Sequence, residues 1–310
     1  MSNWVEIFSG VPQGSVIGPL LFIIYINDLP NRLINVSKLY ADDTKILSEM
    51  VSEDSIRRIQ DDLEKAFEWT QDWLLKFNVN KCVVMHYGSN NKKSPLYIDG
   101  KQLNESSLER DLGVIFSTNL KWNNQIIAAT NRANQMLGRI KKSFVHFDCK
   151  LLRSLYSTFI RPFLEFAVPV WSPILKGDCD VIERVQHRAS KLVASIRGFS
   201  YEKRLKALGL TTLVERRQRG DMIQLFKIFN GVDKLERGNR FQLVHNKVRG
   251  HCFKYFSEIS RQQQRENYIF NRSANLWNSL PSELVEAPSV NSFKAGFDCW
   301  MSSNQSNRLL

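Results

Sequence analysis

Cysteines are few and scattered through the 310 residues: Cys82, Cys149, Cys179, Cys252 and Cys299, an odd number without CxxC spacing. This argues against a disulfide framework or a cysteine zinc site and fits a reducing compartment. The five histidines form no HxxxH or paired arrangement, so none is assigned a metal. Long hydrophobic runs are missing as well. The longest, VIGPLLFIIYI at residues 16–26, is about half of what spans a bilayer and reads as a buried helix with Pro19 in its first turn. No basic-then-apolar leader precedes it, so the expected location is intracellular, in nucleus or cytoplasm, with no membrane contact. There is no internal repeat and no low-complexity tract.

What is present is a sizeable apolar fraction and an uneven charge. Hydrophobic residues make up 43% of the chain, enough for a substantial core, and the length suggests about two domains. Residues 1–138 hold 14 Lys+Arg against 16 Asp+Glu, whereas residues 139–310 hold 29 against 15, giving −2 and +14. A basic half beside a near-neutral one suggests a polyanion held by one region and worked on by another; a solvated basic surface is the plainer reading.

Along the chain, WVEIFS (4–9) alternates like a strand, and GVPQGS supplies a glycine loop before the apolar helix. A hairpin follows, with strands around 37–41 and 44–48 and Asp42 and Asp43 at its tip. Ser52 caps a helix whose inner face takes Ile56, Ile59, Leu63, Phe67, Trp73 and Leu74 and lies across a sheet. That sheet continues through 82–87, the two strands flanking Asp99–Gly100, and 111–116. From Trp122 the period is helical: Ile126, Ala129, Ala133, Leu137, Ile140 and Phe144 line one face, then Leu152, Leu155, Tyr156, Phe159 and Phe163 another. A third helix turns Val181, Val185, Leu192 and Ile196 inward and carries Arg184, Arg188 and Lys191 along a separate side. A fourth, with Arg216, Arg217 and Arg219, ends at Gly231, and residues 231–250 read as a linker. Trp69, Trp73, Trp122 and Trp277 sit among apolar neighbours and read as core, and Asp28 as structural.

Two adjacent carboxylates between strand-forming residues give folding no advantage, since they repel one another and resist burial. They mark a solvated turn or a metal site. Joining nucleotides by in-line attack at phosphorus uses divalent metals, and hard cations such as Mg²⁺ take oxygen ligands, so acids on a rigid hairpin with small Ala41 beside them suit that chemistry.

SGVPQGSVIGPLLFIIYINDLP together with LYADDTKI resembles the reverse transcriptases of non-LTR, LINE-type retrotransposons. The similarity continues through Trp69 to Met85, DLGV with LKW at 111–122, and RSANLWNSLPSEL at 272–284, so it covers essentially the whole chain. A lone YADD would say little; the ordered blocks together are specific. The resemblance implies an α+β fold: part of a polymerase palm (1–120), an antiparallel sheet with helices on one face, then a helical thumb-like region (121–230) and a linker with a mostly helical C-terminal segment (231–310). It implies that Asp42 and Asp43 are catalytic metal ligands for Mg²⁺ or Mn²⁺. Gln13, Gly14, Tyr40 and Ala41 would border the nucleotide, and Leu112 and Gly113 would belong to a primer grip. The thumb-like helix would set Arg184, Arg188 and Lys191 against nucleic acid. RNA template, DNA primer and deoxynucleoside triphosphates are the implied partners.

The family places a further metal-binding aspartate and a fingers region upstream of GVPQGS, whereas nine residues precede Gly10 here, with Glu6 and no aspartate. Adjacent hairpin residues diverge, so Asp42 and Asp43 cannot alone hold two metals about 3.5–4 Å apart. The expectation is a truncated polymerase that extends primers poorly alone, unless another protein supplies the missing fingers and palm. A non-catalytic nucleic-acid-binding remnant is the alternative.

Overall fold

A computed structural model gives the fold of residues 14–234, 243 and 250–307. The strand expected over 4–9, with Glu6 and Gln13, and most of the expected linker at 231–250 lie outside the described residues. The described structure mixes helices with small sheets, and the chain forms two units, Met1–Leu108 and Glu109–Leu310.

In the first unit, Ser15 Oγ accepts from the Gly18 N–H at 3.0 Å and opens helix α1 (Gly18–Ile26), with Pro19 in its first turn. The expected burial of this helix does not hold. Leu20, Leu21, Ile23 and Ile24 are all exposed, Ile24 at 65%, because GPLLFIIYI is apolar all round and only one side, through Phe22 and Ile26, packs on a core. The short helix α2 (Leu29–Arg32) follows, then the antiparallel hairpin of β1 (Val36–Tyr40) and β2 (Asp43–Leu47).

Helix α3 (Glu53–Asp72) starts as the sequence predicts, with Ser52 Oγ accepting from the Ser55 N–H and acids at 53 and 54. Ile59, Leu63 and Phe67 pack with Leu96, Ile98 and Leu103. Trp73 and Leu74 do not continue that face. The helix stops at Asp72: the Leu75 N–H donates to Thr70 O and the Leu74 N–H to Gln71 O, a Schellman closure that puts Leu74 at φ 55 and 89% exposed. Trp69 supplies the burial instead.

The continuous antiparallel sheet expected beyond α3 is replaced by separate two-stranded pieces. β3 (Val83–Val84) and β6 (Asn104–Glu105) pair in parallel, and β4 (Tyr97–Ile98) and β5 (Lys101–Gln102) form a tight hairpin with both Asp99 and Gly100 at positive φ. Strands of two residues offer too few ladder bonds to merge into one sheet.

The second unit begins with hairpin β7 (Leu108–Asp111) and β8 (Val114–Ser117), whose first residue closes the preceding unit. Helix α4 (Asn123–Ser143) buries Ile126, Ala129, Ala133, Leu137 and Ile140, as its period predicts, whereas Phe144, expected on the same face, is the C-cap residue and is exposed. The next segment shifts register. Between α5 (Cys149–Leu155) and α6 (Arg161–Glu165) lies a π-turn, Tyr156–Ile160, so Leu152, Tyr156, Ile160 and Leu164 are buried while Phe159 is exposed. A wider turn moves every later side chain off the face that a 3.6 period assigns.

After α7 (Val168–Trp171), helix α8 (Lys176–Ala189) packs against α4 and buries Ile182 and Val185; a 3₁₀ turn then carries Ile196 inward. Helices α9 (Tyr201–Leu208) and α10 (Leu213–Phe229) follow, the latter opened by a Thr212–Glu215 capping box and closed by Gly231 at φ 68. Helices α11 (Gln263–Glu266), α12 (Ile269–Asn278), α13 (Ser282–Val285) and α14 (Val290–Asn307) complete the fold. One core joins α4, α8 and the π-turn around Trp171, and another joins α10, α12 and α14 around Phe226, Trp277 and Phe293.

Candidate nucleotidyl-transfer and nucleic-acid sites

The hairpin forms as expected, but its turn falls one residue earlier than the sequence reading places it, so that Asp42 is in the turn and Asp43 opens β2. Tyr40 pairs with Asp43 across the hairpin, leaving Ala41 and Asp42 as the connecting residues, with Ala41 at φ 50. Tyr40, Ala41, Asp42 and Asp43 are all exposed. The base of this hairpin is anchored by a residue the sequence reading missed. Asp62, fully buried on α3, accepts from the Ile34 and Asn35 backbone N–H groups at 2.8 and 2.7 Å and from Asn35 Nδ2 at 2.8 Å. A carboxylate with three donors repays its burial and fixes how the chain enters β1. Its only sequence signal is an acid on the otherwise apolar face of α3. A second anchor matches its expected structural role: the Trp69 indole N–H donates to Asp28 Oδ1 at 3.0 Å.

The oxygens of Asp42 and Asp43 are the kind that hard divalent cations take. Their number is the shortfall. Among the described residues no three His, Cys, Asp or Glu side chains are grouped to hold a metal ion. Gly14 has φ 81, with open space where a Cβ would stand, so the backbone here can take a left-handed turn and lie close to a ligand; Gln13 is outside the described residues.

In the second unit, Leu112 and Gly113 form the β7–β8 turn at φ 44 and 85. A Cβ on Gly113 would lie 3.0 Å from Phe166 Cε1, so glycine is required for fit as well as for conformation.

Arg184 and Arg188 line a groove of about 400 Å³ between α4 and α8, together with Asn131, Asn134 and His187. Both arginines are exposed and have no carboxylate partner among the described residues. Lys191 is exposed just beyond the end of α8. Burial, with Arg204 and Lys191 nearby, lowers the pKa of His187, whose Nε2 lies 3.2 Å from Arg204 Nη2. The ring therefore stays neutral and accepts there. The other basic cluster is not free for phosphates. Arg216 pairs with Glu165, whose hydrogen bond raises the arginine's pKa; Arg219 grips Asp298 with two bonds, at 2.6 and 2.8 Å; and Arg217 is buried. No helix among the described residues is long and apolar enough to cross a membrane.

Residues 2–138 match the family model described as reverse transcriptase (RNA-dependent DNA polymerase). Over that segment, a little under half of its length, the chain is similar to reverse transcriptases, a class of RNA-directed DNA polymerases. The curated relatives it resembles are polymerases of transposons and mobile elements. It is 27% identical over 203 residues to "Probable RNA-directed DNA polymerase from transposon BS" of Drosophila melanogaster, a match covering 60% of this chain and 22% of that protein. The RNA-directed DNA polymerases from mobile element jockey of Drosophila melanogaster and Drosophila funebris are 22% and 25% identical, over 62% and 61% of this chain and 22% of each relative. The chain thus spans about a fifth of the length of these curated relatives. No solved structure matches it.

Proposed function

We propose that the chain is part of an RNA-directed DNA polymerase in which Asp42 and Asp43 belong to the nucleotidyl-transfer site. The observation that supports this most is an exposed pair of acids on an anchored hairpin tip, inside the segment that matches the reverse-transcriptase family. Mg²⁺ or Mn²⁺, when bound, would supply charge neutralisation at the phosphoryl oxygens. The chain's own part is to hold two carboxylates at the tip, with Tyr40 and Ala41 bordering the primer end and Gly14 opening the backbone to the incoming nucleotide. RNA template, DNA primer and deoxynucleoside triphosphates are the substrates on this reading. Residues 1–120 serve as the palm portion, 121–230 as the thumb, and 231–310 as the linker and C-terminal segment, with Leu112 and Gly113 gripping the primer.

The donor set at the tip needs at least one further carboxylate, from outside the described residues or from another protein. The purified chain therefore extends an RNA-templated DNA primer weakly or not at all in Mg²⁺ or Mn²⁺. Robust extension that disappears in Asp42→Ala would overturn this incompleteness and establish a self-sufficient polymerase.

The groove at Arg184 and Arg188 favours a second reading, in which the chain binds nucleic acid without catalysing. Residues 109–310 carry 32 Lys+Arg against 17 Asp+Glu, a source of phosphate affinity independent of the acidic tip. Salt-sensitive binding that survives removal of both Asp42 and Asp43 supports it.

A further inference from the structure

A second cavity, of about 310 Å³, lies within residues 109–310 on a different side of α4 from the Arg184–Arg188 groove. Phe163, Phe166 and the Gly113 turn form part of its wall, Gln125 lies in it, and Arg110 and Arg132 line it. Gln125 is only 5% exposed, and its Oε1 accepts from the Ile115 N–H at 3.0 Å. That bond fixes the carboxamide so that its Nε2 donors are left without a protein partner among the described residues. Arg110 and Arg132 are exposed and have no carboxylate partner there either.

Phe166 is 54% exposed yet held in place. Its N–H donates to Pro162 O at 3.0 Å, its carbonyl accepts from the Trp171 indole N–H at 2.7 Å, and the next residue, Ala167, sits in the left-handed region at φ 52. An aromatic ring kept half in water by a strained backbone and a buried tryptophan costs stability without filling a core.

We propose that this cavity takes one unpaired base of a nucleic-acid strand against Phe166, with a flanking phosphate at Arg110 and Arg132. An aromatic wall, a buried donor for a ring nitrogen or carbonyl, and two guanidinium groups match the face, edge and phosphate of a single nucleotide. The volume is at the small end for ligand cavities, which start at about 300 Å³, so it suits one ring system rather than a base pair. The proposal rests on the reading that this chain binds nucleic acid, and names the site at which a base is held.

The test compares a single-stranded oligonucleotide with a strand of equal length built from abasic sugar-phosphate units, each in DNA and RNA form, by fluorescence anisotropy on the full chain. Phe166→Leu keeps bulk and removes the stacking face. It is expected to weaken the base-bearing strand about tenfold and leave the abasic strand unchanged, with an unaltered unfolding midpoint. Arg110→Ala with Arg132→Ala is expected to weaken both strands alike. Equal effects of Phe166→Leu on the two strands, or none on either, would overturn the base site and leave the binding reading intact. Failure of the unmodified chain to bind any strand would overturn both. A base effect confined to DNA or to RNA identifies which strand enters.

Discussion

At the residue level, Leu74 is the clearest misfit between side chain and backbone. Two other helices in the chain end at left-handed glycines, Gly209 and Gly231, whereas α3 uses a leucine at φ 55 that buries almost nothing. A left-handed L-residue costs about 1–2 kcal/mol, so Leu74→Gly is expected to stabilise the protein by about 1 kcal/mol, read as a higher thermal unfolding midpoint; a lower midpoint would mean that Leu74 makes contacts its exposure hides. Legibility at this level divided along physical lines. The acidic tip could be read because adjacent aspartates between β-formers are conspicuous, and Asp28 because a lone acid ending an apolar helix needs a partner. Asp62 could not, because two of its three donors are the backbone N–H groups of 34 and 35, and backbone groups leave no trace in a sequence.

Among the elements, α10 and α12 are joined by one ion pair. Arg272 donates to Asp221 at 2.7 and 2.8 Å, and also to the carbonyls of Asn267 and Pro169. Burial raises the Asp221 pKa above the ordinary carboxylate value while Arg272 pulls it back down. Arg272→Met takes away the buried carboxylate's hydrogen-bonded partner and leaves only the Arg217 charge nearby, at a cost of up to about 3–5 kcal/mol near neutral pH. Losing the guanidinium lifts the folded-state pKa further, so protonation favours the folded variant. Its deficit against the parent should shrink as pH falls through the raised pKa of Asp221, as urea unfolding at several pH values would show; a deficit that is constant with pH argues that only the carbonyl bonds matter. Helix α4 was legible because its buried residues hold one period for about four turns. The segment after α5 was not, because nothing in YSTFI distinguishes a π-turn from an α-turn, and one extra residue moved burial from Phe159 to Ile160.

For the whole molecule, charge is the feature that reads most directly from sequence, since it needs no geometry. Residues 1–108 sum to −3 and residues 109–310 to +15. Binding of single-stranded DNA is expected to weaken steeply with salt, and each of Arg184→Ala and Arg188→Ala should flatten the slope of log K against log salt by about 1. An unchanged slope in the double variant would show that these guanidinium groups touch no phosphate. The one large-scale expectation that failed, a continuous sheet, depended on contacts between distant strands, the kind of information that local alternation does not carry.

The bare flank of α1 has a practical consequence. Burying a leucine or isoleucine side chain completely is worth about 1.5–3 kcal/mol, and those on this flank are already partly covered, so each forgoes roughly half of that; the flank acts as an adhesive strip. Preparations of the chain by itself should clump as they are concentrated, and a mild detergent or a Leu20→Lys, Ile24→Lys double variant should keep them dispersed in light scattering.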